Sequence, residues 1–282
     1  GSYYATLGTG CGSGDYQFSD PIGLTVAPNG DIYVADWANH RVQIFNSDRV
    51  YIATLGVTGV PTSTNAGFNG PWDVAVDSLG NIYVVDQGNH RVQVFDSSRT
   101  YVRTVGITGV SGSEFDRLSG PWSLTVDVNN NLYIADSGNN RVQVFDSSGA
   151  YLTTIGGSWG NRTGQMRAPI GLAVDTAGNV YVAESDNHRI QKFAPGVPGW
   201  VQSNINGFGS PQNISVLSLA PFDNDLYAGT FNQSTGAQIW RLDDLGWTAV
   251  ITDGFGSRDN EGIDHLIEYT GYLYAGTWAD EV

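Results

Sequence analysis

The sequence predicts an all-β fold, a six-bladed β-propeller with four-stranded blades, and three observations carry that prediction. A proline introduces an apolar run at Pro21, Pro71, Pro121 and Pro169, at intervals of 50, 50 and 48 residues. Each interval holds short β-rich runs separated by turn residues. In the second unit these are "PWDVAVD", "NIYVVD", "RVQVFD" and "YVRTVG", with "SLGN", "QGNH" and "SSRT" between them. The second run of each unit, "IYVAD", "IYVVD", "LYIAD" or "VYVAE", is apolar on consecutive residues instead of alternate ones. A strand of that kind is covered on both faces, as in sheets stacked against one another. A linear solenoid is the competing architecture, but its coils are normally shorter and it needs terminal caps.

The units follow in order. Residues 18–60, 68–110, 118–160 and 166–206 make four blades of one type. Beyond residue 200 the signature changes while the period continues. The stretch "GFGSPQNISVLSLAPFDNDLYAGTF" (207–231) aligns without a gap to "GFGSRDNEGIDHLIEYTGYLYAGTW" (254–278) at an offset of 47. Residues 207–253 therefore form a fifth blade of a second type, with strands at "VLSLAP", "DLYAGT", "AQIWRL" and "TAVITDG". The last unit, 254–282, ends after its second strand. The opening "YYATLGTG" matches the fourth strand of unit one, "YIATLGVTG", so residues 3–14 are expected to complete a closing blade shared between the N- and C-termini. All of this is one domain, residues 1–282. The third strand of the closing blade has no counterpart, and such a slot attracts a strand from a neighbouring chain, which makes a homo-oligomer one expectation.

Charge and composition exclude several functions. Lys plus Arg is 13 against Asp plus Glu at 28, a net charge of -15, whose field repels phosphate backbones; no nucleic acid partner is expected. The single cysteine, Cys11, leaves no internal disulfide and no thiolate zinc site. No apolar run approaches the roughly 18 residues of a membrane helix, so no membrane insertion is expected. Acidity, few lysines and N-x-Ser/Thr sequons at Asn161, Asn213 and Asn232 point to a secreted or cell-surface protein.

The chemistry-bearing residues recur with the period. "NHRVQIF" (39–45) returns as "NHRVQVF" (89–95), "NNRVQVF" (139–145) and "NHRIQKF" (187–193). An acid precedes each arginine by five residues: Asp36 and Arg41, Asp86 and Arg91, Asp136 and Arg141, Glu184 and Arg189. Across a hairpin that offset forms a structural clasp, in which a planar guanidinium can hold a carboxylate bidentately. Asn39, Asn89, Asn139 and Asn187 are expected to take a left-handed or side-chain-bonded turn conformation. His40, His90 and His188 occupy equivalent loops on different blades, with Asn140 in unit three. Zinc needs its nitrogens about 2.0–2.1 Å away, so these histidines cannot share an ion, and no metal or other cofactor is expected.

These motifs, following "IYVAD"-type strands and preceded by "P-[IW]-x-[LV]-x-V", resemble the NHL-repeat family over residues 18 to about 195. The resemblance implies a six-bladed propeller. About function it implies little, since similar proteins serve as partner-binding scaffolds, RNA readers, sensor ectodomains and, in a minority, lyases. The last two units depart from the pattern, with Thr230 and Thr277 in place of the acid, and resemble bacterial propeller repeats of the "YAGT...G..IWR" sort.

Ligand-binding candidates lie on the loops that lead into each inner strand and that join strands two and three, around one mouth of the channel. They are Trp37, His40, Trp72, Asp73, His90 and Trp122. Large aromatics beside amides and hydroxyls suit a protein, peptide or glycan partner, although tryptophans at blade seams would serve packing alone. Carboxylates for an enzyme exist at Asp73, Glu114, Asp116, Asp259, Glu261 and Asp264, but no spacing sets them apart. "DSLGN", "DVNNN" and "DTAGN" read as hairpin turns instead of calcium loops. The function expected is a non-catalytic binding scaffold. The alternatives are a self-assembling subunit and a propeller lyase or hydrolase with a channel-mouth metal.

Overall fold

Five times along the chain, four consecutive strands pair in sequence order as an antiparallel meander in this computed structural model. The structure describes residues 6–194, 200–202, 215–222, 225–243, 246–253, 255, 260–269 and 272–278. The first blade comprises β1 (Pro21–Val26), β2 (Ile32–Asp36), β3 (Arg41–Phe45) and β4 (Tyr51–Gly56). The second comprises β5 (Pro71–Val76), β6 (Ile82–Asp86), β7 (Arg91–Phe95) and β8 (Tyr101–Val105). The third has β9 (Leu124–Val126), β10 (Leu132–Asp136), β11 (Arg141–Phe145) and β12 (Tyr151–Gly156). The fourth has β13 (Pro169–Val174), β14 (Val180–Glu184), β15 (Arg189–Phe193) and β16 (Trp200–Gln202). The fifth, of the second type, has β17 (Ser215–Phe222), β18 (Asp225–Phe231), β19 (Ile239–Asp243) and β20 (Gly246–Ile251).

The blades stand in a ring with their first strands innermost. β1 packs on β5, β5 on β9, β9 on β13 and β13 on β17. The ring is closed by β21 (Gly262–Tyr269), which contacts both β17 and β1 and pairs with β22 (Tyr272–Trp278). The hydrophobic core is accordingly divided among the seams. Val42, Ile44 and Phe68 meet Val74, Ile82 and Val84 between blades one and two. Tyr83, Val85 and Val92 meet Leu124 and Ile134 between blades two and three. The consecutive apolar residues of β2, β6, β10 and β14 are explained by this: one face of each strand serves one seam and the opposite face the next.

The expected blade count needs correction. Among the described residues the ring holds five four-stranded blades, not six, and the last unit contributes a two-stranded sheet of β21 and β22. The shared closing blade is also not formed by the described N-terminal residues. Of the expected outer strand, Tyr3–Ala5 lie outside the described residues, and Thr6, Leu7 and Gly8 take no strand conformation. The backbone turns instead at Gly8 and Gly10, with φ of 110° and 127°, and residues 9–18 fold back on themselves. Thr9 N–H donates to the Tyr16 carbonyl and Gly12 N–H to that of Phe18. This segment leads into blade one as the loops before Phe68 and Leu118 lead into blades two and three.

Candidate functional site: the channel and its tryptophan shelf

The repeated motif folds into a clasp of wider reach than the hairpin. Arg41, Arg91, Arg141 and Arg189 are buried, and each Nε lies 2.7 Å from its acid, Asp36, Asp86, Asp136 or Glu184. The contact runs through Nε and is not the bidentate fork expected, because the two Nη groups serve another purpose. Arg91 Nη1 donates to the carbonyl of Ser63, and Nη2 donates to those of Thr64 and Gly67. Arg41, Arg141 and Arg189 repeat the pattern on Ser13, Ser113 and Asn161 and the residues after them. The guanidinium thus binds together the acid, its own hairpin and the loop leading into its blade. Buried charge is compensated, and in Arg41 and Arg91 every donor direction is occupied, as a buried ion requires.

The asparagines are side-chain bonded as expected: Asn89 Nδ2 donates to Asp86 Oδ2 and to the Thr62 carbonyl. The left-handed residue is the next one, His40, His90, Asn140 or His188, with φ between 50° and 55°. His40 Nδ1 accepts the N–H of Gly70, and His90 Nδ1 that of Gly120, both at 3.0 Å and both on the following blade. In unit three Asn140 Oδ1 accepts the N–H of Ala168 in the same way. The hairpin acids also behave as turn formers. Asp77 accepts from Leu79 N, Asn81 N, Asn81 Nδ2 and the Tyr83 hydroxyl. Burial and the adjacent Asp77 carboxylate push the Tyr83 hydroxyl up to about 12.

The six inner strands enclose a channel cavity of about 280 Å³. Of the tryptophans that the sequence singled out, all half-buried, Trp72 and Trp122 line it and Trp37 stands beside them. The rings of Trp72 and Trp122 have centroids 4.4 Å apart at 47°, and Trp37 meets Trp72 edge-on at 6.1 Å and 79°. The three form one continuous aromatic shelf. Trp72 also packs on the seam between blades two and three, so the packing role and the presentation of a face coexist.

Asp73, beside the shelf on β5, is buried, and its partner could not be foreseen from spacing. His265 Nε2, on β21, lies 3.2 Å from Asp73 Oδ1. Val74 N–H donates to Oδ1 and Leu124 N–H to Oδ2, so two backbone donors hold the carboxylate beside the imidazole. Of the other acids considered, Asp264 lines the cavity, Glu114 pairs with Arg117 on the surface, and Asp259 lies outside the described residues. Among the described residues no cluster of three or more His, Cys, Asp or Glu side chains is arranged to hold a metal, and no helix is long and apolar enough to cross a membrane. Asn232 is buried, which closes that sequon to modification in the folded chain, and Asn213 lies outside the described residues.

A ring of antiparallel sheets around a lined channel defines a β-propeller. Its first four blades carry NHL repeats, matched at residues 18–45, 68–95, 118–145 and 166–193. No curated protein matches the sequence significantly. Among solved structures, a streptogramin B lyase superposes with a TM-score of 0.65 at 14% identity, over 91% of this chain and 76% of that one. A catalytically inactive virginiamycin B lyase from Staphylococcus aureus with quinupristin gives 0.64 at 13%, over 91% and 77%. A chain of a nidogen/laminin complex gives 0.59 at 18%, over 79% and 75%. At these identities the likeness is one of fold.

Proposed function

We propose that the protein is a non-catalytic binding module that holds an amphipathic partner, a protein segment, peptide or glycan, on the tryptophan shelf at the channel mouth. The observation that carries this reading is the ring contact of Trp72 with Trp122, both of which line the cavity, continued edge-on by Trp37. Half-buried aromatic rings that line a cavity give large contact area at small entropic cost. The clasp arginines are excluded as contacts because they are buried and bonded to their acids and loop carbonyls. His40 and His90 hold the adjoining loops through their inter-blade bonds.

The test is binding of the purified protein to peptide and oligosaccharide arrays, with Trp72→Ala and Trp122→Ala beside the wild type. Capture abolished by either substitution supports the shelf, and capture that survives both refutes it. A second reading, catalysis, is favoured by one observation: the Asp73–His265 pair has the geometry of a base and its orienting carboxylate, within a fold shared with lyases. Mass spectrometry of captured ligands separates the readings, since a binder returns its ligand unchanged.

A further inference from the structure

The inner strands set one residue per unit at a common height around the channel. β1, β5, β13, β17 and β21 each carry a bulge near their start, and the residue placed by it is Gly23, Asp73, Gly171, Ser218 or His265. Ser123 holds the matching place before β9, its carbonyl accepting Ala135 N–H. Bulges re-aim side chains next to functional sites, and here they produce a polar girdle between the tryptophan shelf and apolar walls.

Two members of the girdle meet although blade one separates them. Gly23 makes this possible: a Cβ there would lie 2.5 Å from Asp73 Cα and 2.7 Å from Asp73 Oδ1. With no side chain in the way, His265 Nε2 reaches Asp73 Oδ1. In the Nε2–H tautomer, the one in which the imidazole can donate to Asp73, Nδ1 is an acceptor, and no hydrogen bond to it is found among the described residues. Ser123, which lines the same cavity, adds a hydroxyl.

We infer that the girdle is the polar half of a saccharide site. One sugar ring of a neutral oligosaccharide stacks its C–H face on Trp72 and Trp122 and donates a hydroxyl to His265 Nδ1, with Ser123 beside it. This rests on the shelf being the ligand face. Three observations select a neutral sugar. Among the described residues no Lys or Arg lines the cavity, and the protein carries -15, so carboxylate, phosphate and sulfate groups are repelled. Asp73 is held by two backbone N–H groups and the His265 ring, and Asp264 and Glu268 have partners of their own, which leaves an ammonium group poorly served. The cavity, about 280 Å³, sits at the lower limit of small-ligand pockets and suits a single ring.

The test is titration calorimetry of the full chain with cellotriose, maltotriose and chitotriose, and with uncharged tripeptides. The proteins are the wild type, Trp72→Ala, His265→Phe, Ser123→Ala and Asp73→Asn. At least one trisaccharide is expected to bind, with affinity lost in Trp72→Ala and lowered about tenfold or more in His265→Phe. Long-range proton–nitrogen NMR is expected to show His265 as the Nε2–H tautomer in the wild type and as a mixture in Asp73→Asn, a change that mere loosening would not produce. If a trisaccharide binds through Trp72 but is indifferent to both His265→Phe and Ser123→Ala, the girdle is overturned and the shelf stands. Binding of tripeptides alone, with no trisaccharide bound, overturns the girdle in the same way. If nothing binds in a Trp72-dependent way, both fall.

Discussion

The Nδ1 of His40 accepts the N–H of Gly70 at 3.0 Å, and Gly70 belongs to the next blade round the ring. His40 and His90 are therefore stitches between blades. Asn140 is the natural substitute, because Oδ1 of a left-handed asparagine reaches the same N–H that Nδ1 of a left-handed histidine does. His90→Asn should leave stability within about 0.5 kcal/mol of wild type, whereas His90→Ala, which orphans Gly120 N–H, should cost about 1–2 kcal/mol. Urea denaturation of the two variants measures the difference.

The clasp makes a larger demand. Arg91 is fully buried and serves Asp86, Ser63, Thr64, Gly67 and the Thr108 hydroxyl. Removing it strands a buried carboxylate and frees the loop leading into blade two. Arg91→Ala is expected to cost about 3–5 kcal/mol. Arg91→Lys should recover little of this, since an ammonium cannot span the same set of acceptors. An Arg91→Ala melting temperature equal to wild type would disprove the clasp.

Gly23 is a steric requirement of the channel. Gly23→Ala places a methyl 2.7 Å from the Trp72 carbonyl and from Asp73 Oδ1, so β5 must shift. A loss of about 1–3 kcal/mol is expected, in the range of overpacked cores. The His265 ring resonances should move with it, a change readable by NMR.

Alkaline behaviour follows from the hairpin tyrosines. Burial first, then the neighbouring carboxylate of Asp77 or Asp127, holds the hydroxyls of Tyr83 and Tyr133 up to about 12, above their ordinary 10.0. The folded state therefore favours the protonated phenols. Their contribution is complete below pH 10 and is lost as pH rises through about 12. Ultraviolet difference titration should show these two ionising after the exposed tyrosines, and Asp77→Asn should bring Tyr83 forward.

Much of the fold was legible because it is written locally. Proline, four β-rich runs and the five-residue spacing from acid to arginine recur, and each fixes a strand, a turn or a hairpin pair. The blade count was not. Tyr3–Gly8 looks like Tyr51–Gly56 as a string, yet pairing is a non-local event, and the described part of that segment turns away at Gly8 and Gly10. The loop carbonyls that Arg91 binds lie 24 to 28 residues upstream, beyond any hairpin argument. The tryptophans could be named from their loops, and the structure joins them. The His265–Asp73 contact depends on two bulges and a missing side chain at Gly23, none of which leaves a spacing signal. The 47-residue offset that places His265 over Ser218 was the available clue.

The central claim is that the repeated His–Arg motif builds the ring while the tryptophan shelf binds the partner. The most direct measurement compares His90→Asn with Trp72→Ala on the same peptide and oligosaccharide arrays, with circular dichroism confirming that both fold. The account predicts that His90→Asn retains the wild-type binding profile and Trp72→Ala loses it. Retained binding in Trp72→Ala, together with loss in His90→Asn, would contradict it.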